Sequence, residues 1–558
     1  MRNTGRFAGF LGSKLPRLIW IFPIFLAIGG CGTGGDGVVN EMPETKAVDG
    51  SVSGRKEKEN LSPLVEISPP LPELKDRTTW DTCWIGGKKI GHVKTTVSRE
   101  NRNGQEIVTV DSLNRLSVQR FGQSTEMTIQ LISHQTSDGR MMDFESKFAG
   151  GSQPTVTKGR VEGNKLVLDV STKGQVTTTS IPWSKDYTGP FGVEQMLLGN
   201  PMKPGQRRAI KILMPVVNQV VTTKLVACDY EPVELRSGTY RLLRIETETV
   251  LSNSPPMLGT IWTDRGGDTL KTFSQAMHQE IFRATKAEAL DETDMGHIDL
   301  GDDMKIAVDR PLKPDEIDRQ CRYKITIDGG DPAAMLVESV SQAVRSLGPN
   351  TAEVTVYALR PGDKRGNEKS PDDRPGREDI MPNSIIQSDD AKIVAMAKEA
   401  AGDLKDPWKI AVALEKFVKK YINEKDFTTA FATAAEVAQS RQGDCTEHAV
   451  LLAALARACD IPARGAMGLI YLLENQAFFY HMWTEVYVDN RWIPLDATIG
   501  RGGTGAERLK LAHSNLKGAS AYSSFLPVAQ VMGRMKIEVL DSKDKIEEVK
   551  NHKTKDRK

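Results

Sequence analysis

Between residues 77 and 309, apolar and β-branched side chains recur at every second position in a series of short runs. The runs 106–110, 126–132, 165–170, 208–216 and 240–250 carry this period, which puts alternate side chains on opposite faces of a strand. Turn residues such as Glu162-Gly163-Asn164 and Lys173-Gly174 fall between them. The pattern predicts a large antiparallel β region over 77–309. Two further strands, "CRYKITID" from Cys321 and "AEVTVYAL" from Ala352, lie in a connecting β segment at 310–360. Then "RPGDKRGNEKSPDDRPGR", charged and rich in Pro and Gly, marks a linker at 361–387 with no packed core of its own. Helical signals replace the strands from 388 to 540. Ser388 caps "DDAKIVAMAKEA", and Asp406-Pro407 opens "WKIAVALEKFVKKYI" with a cap and a proline in the first turn. The stretch from Ala449 to Cys459 is apolar nearly all round, the mark of a helix buried on most sides. The fold class is therefore α+β, a mixed C-terminal domain behind a large antiparallel β region.

Composition changes this picture at the two ends of the chain. Arg2, Arg6, Lys14 and Arg17 precede an apolar run from Leu18 to Ile28, and Ile28-Gly29-Gly30-Cys31 closes the segment. The run is too short to span hydrocarbon, which takes about 20 apolar residues, and reads as an export signal over 1–31. The small residues before Cys31 resemble the lipobox of bacterial lipoproteins. That resemblance makes Cys31 the lipidated first residue of the mature chain, and places the protein in the bacterial cell envelope. Gly32 after the cysteine points to the outer membrane under the sorting rule of some bacteria. From 32 to 76 the chain is rich in Gly, Ser, Pro, Glu and Lys and reads as a disordered leash, and 541–558 is a charged tail. The remainder is ordinary, with 39% hydrophobic and 26% charged residues, enough for two or three domains. Lys and Arg number 74 against 73 Asp and Glu, a net charge of +1, so no global field points to nucleic acid as a partner.

Candidate chemistry centres on Cys445. Gly443-Asp444 turns the chain and the buried helix follows, so Cys445 sits at a helix start. There the unpaired amides and the helix dipole favour the thiolate, which is the nucleophile. A buried small residue, like Cys459 on the same helix, is the alternative. His448 lies one turn on, in a crowded place that suits packing or support. A better base stands in "HMWTEVYVDNRWIPLDAT". His481, Trp483, Glu485 and Tyr487 alternate with Met482, Thr484, Val486 and Val488, giving a strand with two distinct faces. A two-residue turn at Asp489-Asn490 sets Val488 opposite Arg491 and Asp496 opposite Trp483. Asp496 is then diagonal to His481 on one face, at about 7 to 8 Å between backbone positions, within reach of an aspartate-imidazole hydrogen bond. A turn longer or shorter by one residue breaks the pair.

"GDCTEHAVLLAALARACDIPAR", "HMWTEVYV" and "WIPLDAT", in that order, resemble the three core motifs of the bacterial transglutaminase-like superfamily, a circularly rearranged relative of the papain fold. The resemblance covers 388–498 and leaves the β region unexplained. It implies Cys445 as nucleophile, His481 as general base and acid, and Asp496 as the orienting acid. It also implies attack on a peptide or protein amide, with a thioester resolved by water or by a second amine. The Cys445 amide is one oxyanion donor, and the sequence does not identify the second. Trp483 is a site residue or packs beneath the site. Arg464 binds a carboxylate or starts a strand structurally.

No cofactor is implied, and no ligand pattern supports calcium. The acidic residues Asp291, Glu292, Asp294, Asp299, Asp302 and Asp303 lack an EF-hand loop and read as an exposed connection. His92, His134 and His278 have no metal-ligand spacing. Trp80, Trp84, Trp183 and Trp262 read as core or rim packing. Of Cys83, Cys228, Cys321 and Cys459, at most one pair is expected to bridge. Two functions remain open from the sequence: an envelope thiol enzyme acting on peptide or protein substrates, and a silent tethered scaffold. Oligomeric state is not legible.

Overall fold

A computed structural model describes residues 61–541 apart from 121, 150–153, 173–174, 216, 252–254, 361, 372, 425–431 and 518–525. The export signal, Cys31, most of the leash, the Lys173-Gly174 turn and the tail beyond Asp541 lie outside the described residues. No helix among the described residues is long and apolar enough to cross a membrane.

The β region is one sheet of fifteen strands. Two meanders, each antiparallel, are joined where Gln279–Ala284 pairs with Arg77–Ile85. One runs back through the chain to Arg207–Met214, and the other forward to Gln175–Pro182. Four of the alternating runs read from the sequence fall inside these strands, several of which are longer, such as Gln105–Arg120 and Gln123–Thr136, while the run 208–216 outlasts its strand, which ends at Met214. Ordered structure begins within the leash: Leu64–Ile67 pairs in parallel with Arg207–Ile210. The next turn buries Leu71 and Leu74. These apolar residues give a Pro- and Glu-rich stretch enough to bury.

Trp183 is buried. Trp80, Trp84 and Trp262 instead lie under cations of Lys94, Arg236 and Lys271, at 5.8, 5.0 and 5.1 Å from the ring centres. The acidic stretch is a neutralised contact. Lys89, fully buried, donates from Nζ to the carbonyls of Glu288 and Asp291 and to Asp294 Oδ1 at 2.7, 2.6 and 2.8 Å.

Past this stretch the chain builds two smaller sheets. Gln342–Gly348, Thr351–Tyr357, Gln320–Ile327 and Met535–Leu540 form an antiparallel four-stranded sheet. The strand after Arg534 thus pairs with Gln320–Ile327. The other sheet runs Ile306–Ala307, Ala477–Val488, Ala463–Leu472, Arg508–Ser514, with Arg491–Leu495 also on Ala477–Val488. Helix Cys445–Ala458 packs on it, with Pro407–Tyr421 beside, and helices Ala391–Ala401 and Ala434–Ser440 pack against Cys445–Ala458. The cap of the first is Asp390, whose Oδ1 accepts the Lys392 and Ile393 amides at 2.9 and 3.2 Å, in place of Ser388 two residues earlier. A carboxylate at this position reaches both open amides of the first turn. Asp406 and Pro407 open the second helix as the sequence predicts. One continuous core joins Ile85 and Val93 of the β region, Ile298 and Leu300 of the connection, Tyr323 of the small sheet, and the buried helix Cys445–Ala458.

Candidate active site

Cys445 is the first residue of the helix Cys445–Ala458. Asp444 caps it, its Oδ1 accepting the Thr446 amide at 2.8 Å. Glu447 completes a capping box by accepting the Asp444 amide at 2.9 Å, and takes the Ala432 amide at 3.1 Å. Burial, reinforced by the charge of Asp444, raises the Glu447 pKa well above the carboxylate range. Gly443 enters the cap at φ +148°, where a Cβ would stand 2.3 Å from the Glu447 Cβ. Only glycine fits. His448 donates from Nδ1 to the Asp444 carbonyl at 2.6 Å, and so supports the helix start. Cys445 is wholly buried.

The helix and the strand Ala477–Val488 run in the same sense. Arg457, near the helix end, donates to the Ala463 carbonyl at 2.9 Å, and Ala463 is paired with Val486. One step earlier, Thr484 donates its hydroxyl to the Ala449 carbonyl at 2.9 Å. The helix start, with Cys445, therefore points toward the His481 end of the strand.

Asp489 and Asn490 both take positive φ, +53° and +59°, as a two-residue type I′ turn requires. Val488 pairs with Arg491 and Thr484 with Leu495, the register read from the sequence. His481 Nε2 lies 2.8 Å from Asp496 Oδ2, both side chains being almost fully enclosed. A neutral imidazole that donates from Nε2 keeps its lone pair on Nδ1. That atom is buried and has no hydrogen-bond partner. The Trp483 ring lies 28° from the His481 plane, with centres 6.2 Å apart, so it packs alongside the imidazole.

Three residues that the sequence reading passed over complete the setting of Asp496. Arg508 Nη2 donates to the same Oδ2 at 2.6 Å, and its Nη1 pairs with Glu507. Thr498 donates its amide at 3.0 Å, and its hydroxyl, to Oδ1. Glu415, on the helix Pro407–Tyr421, accepts the Asp496 amide on Oε1 at 3.0 Å and the Gly502 amide on Oε2 at 2.7 Å. Burial works to raise the Asp496 pKa, but the charges of His481 and Arg508 and the donated hydrogen bonds hold it far below the usual range. Burial pushes Glu415 the other way, up to about 7. Glu415 was detectable: an acidic residue on the apolar face shared by Ala411, Leu414 and Val418 breaks the helical pattern.

Arg464 is structural. It donates from Nε to Glu485 at 2.8 Å, pairs with Asp373 at 2.7 Å and lies over the Trp492 ring at 3.9 Å. Cys83, Cys228, Cys321 and Cys459 are unbridged. Burial raises all four thiols, Cys321 to about 12. None has the setting of a nucleophile. Among the described residues no group of His, Cys, Asp and Glu has the arrangement to hold a metal ion.

The chain carries a transglutaminase-like domain: the model of the transglutaminase-like superfamily core matches residues 394–497, a span that includes Cys445, His481 and Asp496. Among solved structures, a candidate cysteine protease from Cytophaga hutchinsonii is 18% identical, covering 41% of this chain and 93% of that one at a TM-score of 0.29. A β-barrel-like protein of a domain of unknown function from Brucella abortus is 14% identical, with coverage of 39% and 96% and a TM-score of 0.28. The periplasmic domain of TgpA from Pseudomonas aeruginosa is 14% identical, with coverage of 35% and 97% and a TM-score of 0.22. No curated protein matches the chain significantly.

Proposed function

We propose that Cys445, His481 and Asp496 form the catalytic triad of a thiol acyl-transfer enzyme acting on peptide or protein amides. The observation that carries this reading is the buried 2.8 Å contact between His481 Nε2 and Asp496 Oδ2, which leaves the lone pair of Nδ1 for a proton. His481 Nδ1 takes the Cys445 proton, and the thiolate attacks the amide carbon. The same proton passes to the leaving amine as the C–N bond breaks. Asp496 fixes the tautomer and stabilises the imidazolium while remaining ionised. Water or a second amine then attacks the thioester, giving up its proton to His481, and the thiol is restored. Helix N-terminal amides favour the negative charge on sulfur and on the developing oxyanion. The basic, apolar and small-residue sequence before Cys31 supports an exported chain tethered to the envelope by lipid on that cysteine. Labelling with a radioactive fatty acid, lost in Cys31→Ser, tests the tether.

Incubation with a glutamine-rich protein and a fluorescent primary amine, against Cys445→Ala, tests the chemistry. Cys445-dependent amine incorporation identifies a transamidase, new N-termini a peptidase, and ammonia alone a deamidase. One observation favours the scaffold reading: the Cys445 side chain has no exposed surface. If no product forms and a small alkylating reagent does not modify Cys445 at neutral pH, the scaffold reading replaces the enzymatic one.

A further inference from the structure

We propose that Arg508 is a positioning residue of this site: its guanidinium keeps Asp496 an anion in both protonation states of His481 and limits how firmly His481 holds its proton. The inference rests on the triad reading. Arg508 and His481 approach one carboxylate oxygen, Oδ2, at 2.6 and 2.8 Å, inside a setting that excludes water. When His481 is neutral, Asp496 would be an uncompensated buried anion, which is costly. Arg508 supplies the missing cation. When His481 carries a proton, Arg508 becomes a like charge beside it and favours proton release.

This matters for turnover. A histidine paired with a buried, otherwise uncompensated aspartate holds its proton more firmly, and is a poorer acceptor for the proton of the water or amine that resolves the thioester. The other groups around the pair are Glu507, which neutralises part of the Arg508 charge, and Glu415, behind the Asp496 backbone. The helix start adds Cys445, Asp444, Glu447 and His448, and Glu485 with Lys510 lie further along the His481 strand face. A charge within about 4 to 6 Å moves a titrating carboxylate by about one to three units, and a like charge acts on a cation in the disfavouring sense. With Glu507 offsetting part of it, removal of Arg508 should raise the His481 pKa by about one unit.

The test is nuclear magnetic resonance titration of the full chain carrying isotope-labelled histidine, with the His481 signal assigned by its loss in His481→Gln. Arg508→Met should raise the His481 titration by about one unit, and Arg508→Lys, which keeps the charge, should stay near wild type. Glu507→Gln, of matching shape, should lower it, and keeps the question answerable if Arg508→Met does not fold. An unchanged titration in Arg508→Met, equal behaviour of the Lys and Met variants, or an upward shift in Glu507→Gln overturns the inference. Cys445→Ala separates it from the triad reading. If His481 in wild type titrates no higher than in Cys445→Ala, the thiolate-imidazolium pair is refuted, while the Arg508 effect is still read from its own variants.

Discussion

Glu415→Gln should change how stability depends on pH, with little change in shape. The carboxyl is fully enclosed and accepts the amides of Asp496 and Gly502. Burial and the charge of Asp496 raise its pKa from the ordinary 4.5 to about 7, against the lowering effect of the two amides and Arg508. Because the folded value lies above the unfolded one, the native state binds the extra proton between them. Stability is therefore greatest below the unfolded value and falls as pH rises through the folded one. A rise of about 2.5 units, at about 1.4 kcal/mol per unit, makes that loss about 3.5 kcal/mol. Glutamine does not ionise, so the variant lacks this term. At about pH 5 the variant should be less stable than wild type by about 1–3 kcal/mol, because its amide nitrogen faces a backbone N–H. By about pH 8 that deficit should have shrunk by about 3 kcal/mol. Urea unfolding of both proteins across this range measures the difference, and the other raised carboxyls, Asp81, Glu194, Asp268, Asp379 and Glu447, cancel in it. Parallel curves for the two proteins would refute the argument.

Gly443→Ala should lower thermal stability by about 2–4 kcal/mol, since its Cβ meets Glu447 in a backbone that disfavours side chains. Gly348→Ala, with open space around it, is the control in the same melting experiment. Asp496→Asn should cut kcat by about a hundredfold to ten-thousandfold with KM nearly unchanged in the amine-incorporation assay, because an amide no longer fixes the His481 tautomer. Glu485→Gln should destabilise by about 3–5 kcal/mol in urea unfolding, because it strands the buried cation of Lys510, 2.6 Å from the carboxylate, and leaves Arg464 with Asp373 alone.

What the sequence makes legible is whatever is local or periodic. Strand alternation, the Asp489-Asn490 turn and the Gly443-Asp444 junction each follow from residues within a few positions of one another. The turn length alone brought His481 and Asp496 to one face, because a hairpin register follows from its loop. The strand Leu64–Ile67 was hidden by a window rich in Pro and Glu, although its four residues include Leu, Val and Ile. In the small sheet the strands from Cys321 and Ala352 were legible but a pairing was not: Met535–Leu540 pairs with Gln320–Ile327 across more than two hundred residues, and no local signal encodes a partner at that distance.

The surroundings of Asp496 were the least legible part, and the reason is energetic. A buried carboxylate is tolerable only if donors converge on it, and convergence draws on whichever elements the fold brings near. Arg508 opens the strand Arg508–Ser514 with Glu507 just before it, Glu415 comes from a helix eighty residues upstream, and Thr498 from the turn beyond Asp496. In one dimension, Arg508 is one basic residue among the 74 Lys and Arg of the chain. Only its burial, at 4% side-chain exposure, sets it apart from the solvated majority. Charged residues are almost never so enclosed unless paired. The motif residues thus stand out in one dimension, and the enclosed charges around Asp496 become visible only in the fold.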